Sequence, residues 1–151
     1  MYQQAWQKML QANHILIVSH VHPDGDTLGS ALALYEVLKN AGKKVSHYNK
    51  TKELPYVYDF LPGFSKIKNE LPNGFDLVIS CDCSTLDRLK LPEGTYEIIN
   101  IDHHITNHYF GMMNLVVDRF TSAGMVVYEL LKANEITITK ECAICLYTAI
   151  A

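Results

Sequence analysis

Three groups of acidic residues and histidines stand out in the chain, each at the end of an apolar run. His20, His22, Asp24 and Asp26 follow ILIVS (15–19), Asp82 ends the run FDLVISCDC (75–83), and Asp102, His103 and His104 close TYEIINIDHH (95–104). Carboxylates gathered in one crevice repel each other and resist ionising unless cations neutralise them. A mixed set of imidazoles and carboxylates suits Mn²⁺ and similar ions, whereas a thiolate-rich set favours zinc. Only Gly25 separates Asp24 from Asp26, so a curled loop can send the two carboxylates to different ions. Two such ions, roughly 3.5–4 Å apart, can clamp a phosphoryl group and generate a nucleophile from water. A carboxylate shared between them holds that spacing, and Asp82 is the best placed to be shared. Singly, each residue has an ordinary reading: Asp26 as a helix cap, Asp82 as a surface aspartate, His103 and His104 as loop histidines. The case rests on their convergence.

Convergence requires a fold that brings strand ends together. Residues 3–12 have helical spacing. ILIVS (15–19) is a short continuous apolar run, the pattern of a strand buried on both faces. Pro23 and Gly25 mark a loop, Asp26 can cap the next helix, and Leu28, Ala31, Leu32, Tyr35 and Leu38 recur at helical period up to Gly42. Further strands are predicted at 44–49, 75–83, 95–104 and 113–118, with a short helix ending in a turn over 54–64. Thr121 or Ser122 caps a helix running to Leu131, and Thr139 opens a last one. Strands alternating with helices predict an α/β domain: a mostly parallel sheet of about five strands with helices on both faces. In such sheets ligands bind beyond the carboxyl ends of the strands, where all three groups lie.

Composition narrows the function classes. The 151 residues are 48% apolar and carry a net charge of −3, enough for a core and too little positive charge for a broad face on long duplex nucleic acid. A small anionic substrate stays open, because bound cations reverse the local sign. No run reaches the ~18–20 apolar residues of a membrane helix, and the N-terminus lacks the features of a signal peptide. The chain therefore reads as cytoplasmic, and a homodimer is left open. Cys81, Cys83, Cys142 and Cys145 read as reduced thiols; the last two fall in an apolar helical stretch, where cysteine behaves as a small hydrophobe more than as a zinc ligand. The phosphate-binding glycine motifs and the G-x-S-x-G elbow are absent. His14, His47 and His108 have no acidic company and read as structural or exposed. Arg88 and Arg119 could touch a phosphate, but solvated surface is the first reading of each.

These motifs resemble the DHH phosphoesterases, a family named for the triplet that stands here as Asp102-His103-His104. The H-x-x-x-D-x-D motif stands as His20, Asp24 and Asp26 within HPDGDTLGS, and the aspartate after an apolar strand is Asp82, with Arg88 a few residues on. The resemblance runs through essentially the whole chain. It implies that His20, Asp24 and Asp82 hold one Mn²⁺ and that Asp26, Asp82 and His103 hold a second, with Mg²⁺ or Co²⁺ as substitutes. It further implies that His104 contacts the scissile phosphate and assists catalysis, and that Asp102 orients His103 by a hydrogen bond. Arg88 becomes a candidate for substrate binding, and His22 falls outside the motif as a rim residue.

Within the family, the chain looks most like the stand-alone bacterial subgroup. That likeness implies short oligonucleotides, linear dinucleotides or 3′-phosphoadenosine 5′-phosphate as substrates. Two competing readings remain: pyrophosphate or polyphosphate hydrolysis by the same centre, and a non-catalytic nucleotide or metal sensor. The family pattern continues beyond a helix like CLYTAIA with an Asp-Thr-Gly segment and a C-terminal substrate-binding domain. Residues 1–151 are thus expected to be the N-terminal domain cut before that last ligand motif, weakly active or inactive in isolation.

Overall fold

The computed structural model describes every residue from Met1 to Ala151. Strand β1 (His14–Ser19) is buried along its whole length, as its unbroken apolar run requires. It lies inside a six-stranded sheet with β2 (Lys44–Tyr48), β3 (Ile67–Lys68), β4 (Leu77–Cys81), β5 (Ile98–Asp102) and β6 (Met113–Val116), in the order β3-β2-β1-β4-β5-β6. All five pairings are parallel. The chain builds outward from β1 through β2 to β3, then returns to the other side of β1 and builds outward again through β4 to β6. The reversal lies between β1 and β4, and a crevice opens at such a point beyond the strand ends.

Helices α1 (Tyr2–Gln11), α2 (Gly25–Asn40), α3 (Ala123–Ala133) and α4 (Lys140–Ile150) complete the layers. Alternation along the strands sends Ile15, Ile17, Ile79, Cys81, Ile99 and Ile101 into one core with residues of all four α-helices. The opposite face, built on Leu16, Val18 and Val78, is closed by loops and by the 3-10 turn Leu86–Leu89, whose Leu89 is fully buried. The four α-helices thus share one face, and the one helical turn on the other is this 3-10 turn. The strand beyond the five expected is β3, two residues long and too short to leave a pattern in the sequence. The helix expected over 54–64 is two 3-10 turns, Tyr56–Tyr58 and Phe64–Lys66. Pro62, which has no N–H, and Gly63, at φ +84°, break the segment between them.

Helix α2 is the centre of the helical layer, buried on nearly every side. Its cap is Asp24, not Asp26 as expected: Asp24 Oδ1 accepts from the Thr27 amide at 2.9 Å. Asp26 instead caps a different helix. Its two oxygens accept from the amides of Ala123 (2.8 Å) and Gly124 (3.0 Å) at the start of α3. Those amides have no partner within their own helix, and the positive end of the helix dipole favours the charge. Ser122 caps the same helix through the Met125 amide, and Thr139 caps α4 through that of Cys142.

Candidate metal centre

Each group of acids and histidines is placed by a strand end. His20 follows β1, Asp82 follows β4, and Asp102 is the last residue of β5, with His103 and His104 behind it. β1, β4 and β5 are neighbours, so residues up to 84 positions apart in the chain share one crevice at the sheet reversal. Asp82 continues the ladder by donating its amide hydrogen to the Ile101 carbonyl (2.9 Å), then turns at φ +62°, a conformation that residues other than glycine rarely adopt. The strained turn holds its carboxylate in the crevice, 3% exposed.

The two oxygens of Asp82 face different company. Oδ2 lies 2.9 Å from the Thr27 hydroxyl, which is also 2.9 Å from Asp24 Oδ1 and 2.9 Å from His20 Nε2. Oδ1 lies 3.3 Å from His103 Nε2, which is 3.4 Å from Asp26 Oδ2. Potential ligand atoms of Asp82, Asp102, His103 and His104 all fall within 4.8 Å of one another. His22, by contrast, is exposed on the rim, its amide bonded to Thr51 Oγ1.

The hydrogen bond expected from Asp102 to His103 goes instead to His104, whose Nδ1 lies 2.7 Å from Asp102 Oδ1. The chain leaves β5 extended, and residues two apart point to the same side. Asp102 and His104 therefore meet, while His103 turns towards α2 and places Nδ1 3.2 Å from the Phe120 carbonyl. Asn107 Nδ2 holds the other oxygen of Asp102 at 2.8 Å.

Electrostatics show what the crevice lacks. Burial, then the charge of Asp26 and that of Asp24, push the Asp82 carboxyl up to about 9. Burial also raises Asp26, despite the amides of Ala123 and Gly124. Burial works on Asp24 in the same direction, but the amide and hydroxyl of Thr27 outweigh it and hold this carboxyl low. Burial pushes the His20 imidazole below its ordinary value. With a proton on its Nδ1, 2.7 Å from the Val21 carbonyl, the lone pair of Nε2 faces Thr27. A single hydroxyl proton on Thr27 is thus surrounded by three acceptors, and Asp82 Oδ1 is buried without a hydrogen bond. Such a set is short of positive charge, and divalent cations fit it. A metal-bound imidazole takes this same tautomer, with its far nitrogen bonded to a carbonyl.

Thr27 and Asn107 escape a reading of the sequence. Thr27 sits inside the first motif, three residues past the helix cap, and that spacing is the one available signal. Asn107 has none. Arg88 reaches over from its 3-10 turn to place a guanidinium nitrogen 3.1 Å from His20 Nδ1, at the edge of the crevice. Arg119 lies over the ring of Phe120. The four cysteines are buried thiols with no common site: Cys81 points into the helical core and Cys83 into the opposite one. His14 and His47 are buried against Ser46 and Ser19, and His108 is exposed.

Residues 14–150 match the sequence profile of the DHH family, N-terminal domain. The bifunctional oligoribonuclease and PAP phosphatase NrnA of Thermus thermophilus is 31% identical, over 96% of this chain and 47% of its own length. A probable manganese-dependent inorganic pyrophosphatase of Streptococcus mutans is 26% identical over 85% of the chain and 44% of its own length. The crystal structure of an exopolyphosphatase-related protein from Bacteroides fragilis superposes with a TM-score of 0.85 at 26% identity, covering 97% of this chain and 48% of that one. The chain thus spans about half the length of the curated relatives it matches.

Proposed function

This chain belongs to the DHH family, and from that premise we propose that it is the metal-holding domain of a phosphoesterase acting on short oligonucleotides, linear dinucleotides or 3′-phosphoadenosine 5′-phosphate. One observation carries the reading: a buried aspartate, Asp82, offers each of its oxygens to a separate group of nitrogen and oxygen donors. His20, Asp24 and Asp82 would hold one ion, and Asp26, Asp82 and His103 the other, with Asp82 shared. Mn²⁺ suits this donor set, and the Streptococcus mutans relative carries manganese in its name. Bound there, the cations supply charge that offsets what develops on the phosphoryl oxygens and eases the ionisation of water.

The chain's own groups do the rest. Asp102, fully buried, accepts from His104 Nδ1–H and leaves Nε2 of that half-exposed ring free to carry a proton to the leaving oxygen. Asn107 and the burial of Asp102 keep that carboxylate from turning away. Arg88, beside His20, can meet a phosphate oxygen at the crevice edge.

Titration calorimetry with Mn²⁺ tests the centre, and products test the reaction. Two ions per chain are expected, with Asp82→Asn losing both. A polypeptide containing this domain should release adenosine monophosphate from 5′-phosphorylated diadenylate in Mn²⁺, and Asp24→Ala should abolish it. Inorganic phosphate from pyrophosphate with no release from the dinucleotide would favour the pyrophosphatase reading, which the Streptococcus mutans relative supports. Nucleotide binding without turnover of either would leave a sensor.

A further inference from the structure

Lysine gathers at one edge of the sheet, although the chain as a whole is acidic. A cavity of about 440 Å³ opens between the loop after β2 and the short strand β3, lined among others by Asn49, Thr51, Lys52, Tyr56, Phe64 and Lys68. Its volume lies within the ~300–1,000 Å³ of small-ligand sites. Neither Lys52 nor Lys68 is paired with a carboxylate; Lys8, bonded to Glu97, is the one lysine that is. Asp59 is the single acid in the wall. The Tyr56 ring is 80% exposed, a bare aromatic beside two unpaired cations. Lysine and exposed aromatic together recognise phosphate and base.

The cavity floor is tied to the loop that carries His20. Asn49, fully buried, donates from Nδ2 to the His20 carbonyl (3.0 Å) and to Ser19 Oγ (2.8 Å). Asn49 Oδ1 accepts from the Thr51 amide (2.9 Å), and Thr51 Oγ1 from the His22 amide (3.1 Å). These bonds join the cavity wall to the loop that leads from His20 into the crevice. An adjoining cavity of about 600 Å³ shares Lys68 and Asn69 but reaches back to Val45 and Ser46 in the body of β2, away from the strand end.

We propose that the cavity at Asn49, Thr51, Lys52, Tyr56 and Lys68 is a subsite for the nucleotide next to the reacting phosphate, with Lys52 and Lys68 on its second phosphate and Tyr56 against its base. The inference rests on the phosphoesterase reading and deepens it. The substrates it selects carry a phosphate beyond the one cleaved, on a nucleoside whose base can stack. Pyrophosphate lacks that base.

Binding of 5′-phosphorylated diadenylate to the 151-residue chain, followed by NMR titration once in EDTA and once in Mn²⁺, tests it. The altered side chains are exposed, so the fold is retained, and thermal melting checks that it is. Lys52→Ala with Lys68→Ala should weaken binding about tenfold or more in both buffers and flatten its salt dependence. Tyr56→Ala should weaken it about fivefold or more. Mn²⁺ affinity should be unchanged in every variant. Dinucleotide affinity and salt slope unaltered in the double-lysine variant overturn the subsite, as does no binding by the parent chain at millimolar nucleotide. Intact Mn²⁺ binding and turnover would then leave the phosphoesterase reading standing. Lysine-dependent nucleotide binding without any Mn²⁺ binding would instead uphold the subsite and remove the metal centre.

Discussion

Thr27 shows how much one hydroxyl can organise. Its oxygen stands 2.9 Å from atoms of His20, Asp24 and Asp82, and its amide separately caps α2 through Asp24. Thr27→Val keeps the amide and the shape while removing the hydroxyl, so the helix should survive and Mn²⁺ affinity should fall about 10–100-fold. Calorimetry that returns the parent affinity would deny Thr27 any part in the centre. Asp82 makes a second prediction, about pH. Its folded carboxyl is raised to about 9 from an ordinary 3.8, so between those values folding takes up a proton and stability falls as pH rises. His47, buried and lowered to about 3, acts the other way: below the ordinary 6.5 the unfolded chain takes up the proton, and stability falls as pH drops. In EDTA the melting temperature should therefore decline from pH 7 to pH 9, and Asp82→Asn should remove most of that decline. A parent melting curve flat across this range, or a variant that declines equally, would contradict the assignment.

At the scale of elements, the centre depends on how closely α2 lies against α4. A Cβ on Gly29 would sit 2.6 Å from the Cys145 carbonyl and 2.8 Å from the Ala149 amide, both backbone atoms of α4. Backbone cannot step aside as a side chain can, so Gly29→Ala must push the helices apart. It should cost about 1–3 kcal/mol or more in denaturant unfolding. Because α2 begins with Asp24 and Asp26, the same change should also weaken Mn²⁺ binding. Wild-type stability in this variant would show that the contact is looser than drawn. The capping of α3 by Asp26 links the same elements from the other side: one carboxylate near His103 also fixes where a helix starts.

At the scale of the whole molecule, the candidate ligands come from three strand ends and one helix, and no short piece of chain contains them all. Metal binding must then be coupled to complete folding. At about 100 times its dissociation constant an ion adds ~2.7 kcal/mol, or a rise of roughly 5–10 °C in melting temperature for a domain of this size. Scanning calorimetry should show that rise in Mn²⁺ and its reversal by EDTA; an unchanged melting temperature at saturation would argue against the centre. The rise should grow with pH between 6 and 8, since Asp82 must release its proton to take up an ion.

Much of this was legible in the residues alone. ILIVS, LVISC and IINID can be buried strands because an unbroken apolar run suits a sheet covered on both sides, and the acids and histidines at their ends mark the crevice. Capping by Ser122 and Thr139 was local chemistry, readable from residue type and spacing. Tertiary structure decided the rest. Asp24 and Asp26 are equally good caps as letters; the helix started at Asp24, and the bare amides of α3, 97 residues away, took Asp26. Asp102 met His104 and not His103 because the chain stayed extended past β5, and Asn107 reached them only through a loop's path. Local preferences choose elements over a few residues. Which partner satisfies a buried charge is settled only when distant segments compete for it.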